Sequence, residues 1–122
     1  MNKVLIVEDE PDIREAMSIA LTESGFDVLQ AANGLEGLKL AIAEEPDVIL
    51  LDLIMPEMDG ITTLQKLRAH PWGRNVKVLI LTNMDDAKNI ALTHEYNISD
   101  YVIKSHHSLK EIMSKVRETV LL

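Results

Sequence analysis

The chain has 122 residues, and its 12 Lys and Arg stand against 20 Asp and Glu for a formal charge of −8. That length suits one domain with a real hydrophobic core, and 47% hydrophobic residues argue against a disordered acidic tail. The acidic balance argues against direct nucleic-acid or membrane-surface binding, which rests on cationic contacts. The absence of cysteine excludes disulfides, thiolate chemistry and Cys-ligated zinc or iron–sulfur sites.

The opening MNKVLIVEDEP is too short in its apolar run for a signal peptide, and no segment approaches the roughly 20 apolar residues of a membrane helix. A cytoplasmic location is the expectation. Val4 to Val7 then reads as a first strand, stopped by acids. Asp12, after Pro11, is the expected cap of a first helix carrying Ile13, Ala16, Met17, Ala20 and Leu21 inward, and Gly25 ends it. Asp27 to Ala31 reads as a weak second strand. Asn33-Gly34 reads as a turn before a helix with Leu35, Leu38, Ala41 and Ile42 facing inward, and Pro46 closes the loop after it.

Val48 to Leu51 is a nearly continuous apolar run, as in a parallel strand covered on both faces. Asp59-Gly60 leads into a helix carrying Ile61, Leu64 and Leu67, punctuated by Pro71 and Gly73. Val76 to Leu81 reads as the fourth strand. Asp85 or Asp86 starts a weaker helix through Ala87, Ile90 and Ala91, and Tyr101 to Ile103 reads as a short fifth strand. The last helix is the clearest, with Leu109, Ile112, Met113, Val116 and Val120 on one face and Ser108 near its start. Five strand–helix units predict an α/β doubly wound parallel sheet, (βα)5, with crossover helices on both faces. They are too few for a closed barrel, and acids stand where a dinucleotide-binding fold needs a Gly-rich turn.

The informative feature is where the acids sit. Glu8 and Asp9 follow the first strand, and Asp52 follows the third, at the sheet edge where open α/β folds bind ligands. Asp52 interrupts an apolar window running from Ile49 to Met55, so its carboxylate needs a partner. Three converging carboxylates must share a cation or raise their pKa values, and hard oxygen ligands without His or Cys suit Mg2+, with Mn2+ as a substitute. Thr82 and Lys104 end the fourth and fifth strands at the same edge. A lysine and a metal neutralise phosphoryl oxygens, and an aspartate is a covalent phosphoryl acceptor.

These residues resemble those of the receiver domain of two-component response regulators. The resemblance covers residues 1–122 as one receiver domain, through Glu8-Asp9 in KVLIVEDEPDIRE, Asp52 in PDVILLDLIMPEMDG, Thr82 in VLILT, Tyr101 and Lys104. It implies a flavodoxin-like strand order 2-1-3-4-5. It further implies that Asp9, Asp52 and the backbone carbonyl of Ile54 ligate Mg2+, with Glu8 acting through a water. Asp52 would take the phosphoryl group from a sensor histidine kinase or histidine phosphotransfer protein, and Lys104 would pair with the phosphoryl oxygens. Thr82 and Tyr101 would act as switch residues. The surface of helix 4, strand 5 and helix 5 would then address a downstream effector or an attached output domain, with a phosphorylation-dependent homodimer as a family possibility.

This chain departs from the family pattern at certain positions. Ser105 follows Lys104 where most members have a proline joined by a cis peptide; the turn is therefore either trans, shifting Lys104, or strained. Asn83 replaces a small residue after Thr82, and Asn97 replaces a frequent glycine before strand 5. Ile54 and Met84 are apolar at positions that influence acyl-phosphate hydrolysis, which implies slow self-dephosphorylation. Two alternatives stay open. One is a degenerate receiver serving as a phosphorylation-independent interaction module. The other is a haloacid-dehalogenase-type aspartyl phosphatase, although Ile54 stands where that enzyme needs a second acid. His70, His94, His106 and His107 show no metal-site spacing, and His106-His107 reads as a solvated turn or helix start. Arg14 lies near the acidic edge, where it would at most modulate the site.

Overall fold

A computed structural model describes residues 2–82, 87–105 and 107–121. In chain order the elements are β1 (Lys3–Val7), α1 (Pro11–Glu23), β2 (Asp27–Ala31), α2 (Gly34–Glu44), β3 (Val48–Asp52), α3 (Gly60–Ala69), β4 (Lys77–Thr82), α4 (Ala87–Thr93), β5 (Asp100–Ile103) and α5 (Leu109–Leu121). Short 3-10 turns at Trp72–Arg74 and His94–Tyr96 precede β4 and β5. The sheet has five strands, all paired in parallel, in the order β2-β1-β3-β4-β5. The expected α/β architecture and strand order are therefore present. Among the described residues, no helix is long and apolar enough to cross a membrane.

Strand alternation splits the core into two layers. Val4, Ile6, Leu50, Leu79 and Leu81 point to one face, where α1 and α5 bring Met17, Leu21, Ile112 and Val116. Leu5, Val7, Ile49, Leu51 and Ile80 point to the other, against Ala41 of α2 and Leu64 and Leu67 of α3. The central strands β1, β3 and β4 are thus apolar at nearly every position because both of their faces are covered.

Several local expectations are corrected by packing. Asp12 does not cap α1. Pro11 opens the helix, so the cap falls on Glu10, and Asp12 lies in the first turn, where its charge still meets the helix dipole favourably. Asn33 is the cap of α2, accepting the Glu36 N–H at 2.9 Å, and Gly34 is already helical. Leu35 and Ile42 are exposed, contrary to the periodicity argument. The buried face of α2 is Gly34, Gly37 and Ala41: a Cβ on Gly37 would lie 2.7 Å from Val7 Cγ2 of β1, and one on Gly34 would run into Thr63 of α3 and Met58 before it. Close approach of helix to strand selects the small residues, and the helix rotates its larger ones outward. Ala16 and Leu109 are likewise exposed, while Thr93 and Thr119 are buried, each hydroxyl satisfied by a carbonyl of the preceding turn. The expected start of α4 at Asp85 or Asp86 lies outside the described residues.

Other signals hold. Gly25 has a φ of 95°, which a side chain would resist, and it ends α1. Asn97 adopts the left-handed region before β5 at φ 56°, as a residue replacing glycine there must. Ser108 and Glu111 form a reciprocal capping box at 3.2 and 3.1 Å. Arg68 was not singled out by any motif. Its guanidinium donates to four carbonyls, those of Gly73, Val76, Tyr96 and Asn97, and so ties the end of α3 to the segments entering β4 and β5.

Candidate functional site at the carboxyl edge of the sheet

The parallel register aligns the strand ends. Val7 pairs with Leu51, Asp52 with Leu81, and Thr82 with Ile103, so the residues leaving β1, β3, β4 and β5 emerge along one edge. Glu8 is fully buried there, and Asp52 and Thr82 are buried beside it. One carboxylate oxygen from each of Glu8, Asp9 and Asp52 lies within 4.8 Å of the others; among the described residues this is the one grouping that could hold a metal ion. Neither His70 nor His107 joins it: each ring nitrogen takes a local backbone N–H, that of Trp72 or of Ile103.

Lys104 closes the cluster. Its Nζ lies 2.5 Å from Glu8 Oε1 and 3.1 Å from Asp52 Oδ2. Oε1 has no aligned hydrogen-bond donor among the described residues, so that contact is an ion pair rather than a regular hydrogen bond. The other Glu8 oxygen accepts the Glu10 N–H at 3.3 Å, and Arg14 Nη1 donates to the Glu8 backbone carbonyl at 2.8 Å. Arg14 therefore supports the turn after β1 rather than adding its charge to the carboxylates. On the β3 side, the Ile54 N–H reaches Asp52 Oδ1 at 3.3 Å, while the Ile54 side chain is exposed. Gly60 N–H bonds the Leu53 carbonyl at 2.9 Å, and a Cβ on Gly60 would fall against the Asp52 carbonyl and Leu53 Cα. Only glycine lets α3 begin this close to Asp52.

Three acids facing one ammonium leave the site short of positive charge. Burial first, and the neighbouring Glu8 second, push the Asp52 carboxyl up to about 8 against the pull of Lys104. Burial also acts to raise Asp9, but hydrogen bonding with Asp52 and Glu8, together with the Lys104 charge, outweighs it and holds Asp9 below the usual carboxylate range. In Lys104, burial acts against the charged form, yet Glu8 and Asp52 prevail and the ammonium is held above its ordinary range. A proton on Asp52 thus stands in for missing positive charge. The donor set of hard oxygens, with no His or Cys, fits Mg2+.

The structure brings Glu8, Asp9, Asp52 and Lys104 together, ends β4 with the buried Thr82 at the same edge, its carbonyl accepting the Lys104 N–H, and sets Ile54 in the loop beside them. Tyr101 lies apart on β5, opposite Ile80, and is 36% exposed. Ser105 follows Lys104 without a cis bond, as does every described peptide, and the trans turn still delivers Lys104 to Glu8 and Asp52. Asn83, Met84 and His106 lie outside the described residues. His107, discounted as a solvated turn, is half-buried and bonded to β5; its neighbour Ser108, with the capping pattern, is the signal that the turn ends there.

A family model described as the response regulator receiver domain matches residues 4–117. The chain is 35% identical over 117 residues to the DNA-binding dual master transcriptional regulator RpaA of Synechocystis sp., covering 96% of this chain and 48% of that protein. It spans about half the length of the curated relatives it matches. It is similar to the receiver domain of the Francisella response regulator 1452, with a TM-score of 0.87, 30% identity, and 99% and 98% of the two chains covered. It also shares the fold of the receiver domain of a sensor histidine kinase from Pseudomonas aeruginosa, which has a magnesium ion in its active-site cleft. Here the TM-score is 0.89 at 24% identity, with 99% and 98% covered.

Proposed function

The chain belongs to the response regulator receiver domain family, and from that premise we propose that Asp52 is the acceptor of the phosphoryl group through which it signals. The role is phosphorylation-based, and the acidic cluster of the family is in place in Glu8, Asp9 and Asp52. The observation that carries the proposal is the buried Asp52 carboxylate with Lys104 Nζ 3.1 Å from it. A structural aspartate would be satisfied by that one lysine, whereas here Glu8 shares it and Asp9 adds a third carboxylate to the cluster.

Asp52 attacks as the carboxylate, once the proton it holds in the metal-free site has been released to solvent. Its oxygen bonds the phosphorus of a phosphohistidine, the P–N bond breaks, and the imidazole leaves with the electron pair and takes up a proton. Asp9, Asp52 and the Ile54 carbonyl, with Glu8 through a water, would hold Mg2+ or Mn2+, which supplies positive charge opposite the phosphoryl oxygens. Lys104 shifts from Asp52 to the new phosphoryl oxygens. The Thr82 hydroxyl, buried at the end of β4, donates to another. Its inward movement leaves room for Tyr101, now half-exposed, to turn toward the sheet. This is a population shift between two packed arrangements of the surface formed by α4, β5 and α5.

The donor is a sensor histidine kinase or a histidine phosphotransfer protein. The recipient is a downstream effector or an attached output domain, and a phosphorylated homodimer on the same surface is one form of output. Incubation with Mg2+ and a small phosphodonor tests the reading by intact mass. One phosphoryl group is expected on the wild type and none on Asp52→Asn; a folded wild type that gains none from any donor refutes it.

A further inference from the structure

β5 is an edge strand, and an edge strand has backbone groups that the sheet does not satisfy. The Lys104 N–H reaches inward to the Thr82 carbonyl at 2.9 Å. Alternation along the strand then turns the N–H and carbonyl of the preceding residue, Ile103, toward the open edge. His107 meets both. Its backbone N–H donates to the Ile103 carbonyl at 3.0 Å, and its ring Nδ1 lies 3.1 Å from the Ile103 nitrogen. Nδ1 is also 3.2 Å from the Ile103 carbonyl, but that oxygen already holds the His107 N–H. The Ile103 N–H therefore selects Nδ1 as an acceptor, which puts the ring proton on Nε2.

The Lys104 ammonium is held by its ion pairs with Glu8 and Asp52, and its reach to them depends on how the chain leaves β5. Its side chain borders a cleft of about 290 Å³ between α1 and α5, walled by Ile13, Met17 and Ile112, with His107 on the rim. The turn after Lys104 carries Ser105 in place of the proline that restricts it in most of the family. We propose that His107 is the positioning residue for Lys104. By binding both free groups of Ile103 it fixes the direction in which the chain leaves β5, and so holds the ammonium against Glu8 and Asp52. This inference rests on the reading of Asp52 as phosphoacceptor and of Lys104 as its partner.

The test uses the full chain with Mg2+ and acetyl phosphate, following phosphorylation by intact mass. His107→Ala is expected to slow phosphorylation about fivefold to tenfold, the worth of one hydrogen bond that sets a reacting geometry. His107→Asn, whose Oδ1 can stand where Nδ1 stands, is expected to recover most of the rate. In a Lys104→Ala background, His107→Ala is expected to add nothing, because the residue acts through the lysine. The ring ¹⁵N signals at neutral pH are expected to show Nδ1 unprotonated. Additive slowing in the Lys104→Ala background, an Asn variant as slow as Ala, or a protonated Nδ1 overturns the proposal. If His107→Ala does not fold, the Asn variant and the ring signature decide. A folded wild type that takes no phosphoryl group overturns the reading of Asp52 and this inference with it; normal wild-type phosphorylation with additive variants overturns this inference alone.

Discussion

Replacing Asp52 by Asn should make the metal-free protein more stable, although it removes the residue the site is built around. In the unfolded chain an aspartate titrates near 3.9, whereas in the fold burial and Glu8 push Asp52 up to about 8. Between these values the folded state holds a proton that the unfolded state has released. Stability therefore falls as pH rises through the window. At about 1.4 kcal/mol per pH unit, the full cost is on the order of 5 kcal/mol once both values are passed. Solvent reaching the partly exposed Asp9 screens part of it, so Asp52→Asn is expected to recover about 2–4 kcal/mol at about pH 8. That corresponds to a rise in Tm of roughly 10 °C for a chain of this size. Asp9 and Asp100, both held low, act in the opposite sense and only below about pH 4. The assay is urea unfolding in EDTA across pH, repeated with Mg2+. At a concentration about a hundred times its Kd, Mg2+ should add about 2.7 kcal/mol to the wild type and much less to the variant. Equal stability of the two proteins in EDTA at about pH 8, or a wild type that grows more stable from about pH 5 to pH 8, would refute the reasoning.

Other perturbations separate scaffold from site. Arg68→Ala strands carbonyls that the guanidinium now satisfies and is expected to cost about 2–4 kcal/mol in urea unfolding; a loss below about 0.5 kcal/mol would show that water replaces it freely. Gly60→Ala drives a methyl into the Asp52 carbonyl and Leu53 Cα, so it should cost more than about 1 kcal/mol and also depress phosphorylation, since the backbone that must yield carries Asp52. Unchanged phosphorylation kinetics in a destabilised Gly60→Ala protein would contradict that link. The apolar, exposed Ile54 cannot orient an attacking water, so acid-labile phosphate on the isolated chain should decay over minutes or longer, and decay within seconds would count against it.

The architecture was legible because the central strands are buried on both faces. Val48 to Leu51 and Val78 to Leu81 are apolar at every position for that reason, and no helix of this length could be so uniform and still face solvent. Asp52 was legible for the converse reason, as a charge set into an apolar window that folding buries. The orientation of α2 was not. Leu35 and Ile42 satisfy the helical period, but α2 turns Gly34, Gly37 and Ala41 inward, because Thr63 of α3 and Val7 of β1 leave no room for a side chain at Gly34 and Gly37. Periodicity measures which residues share a face, not how near the opposing surface comes.

The chemical identity of the site lay in residue type and in position relative to the strands, and so belonged to the sequence: acids after β1 and at the end of β3, a hydroxyl at the end of β4, a lysine after β5. Which of these groups touch was decided only by folding. Lys104 chooses Glu8 as well as Asp52 because parallel pairing brings three strand ends to one edge. Arg68 reaches Asn97, 29 residues away, because α3 lies over the entry to β5. His107 became more than a turn residue because β5 is an edge strand whose open groups need a partner. Local preference and hydrophobic pattern are properties of neighbours along the chain. A carboxylate's proton, an arginine's acceptors and a lysine's direction depend on groups that only the tertiary structure brings within hydrogen-bonding distance.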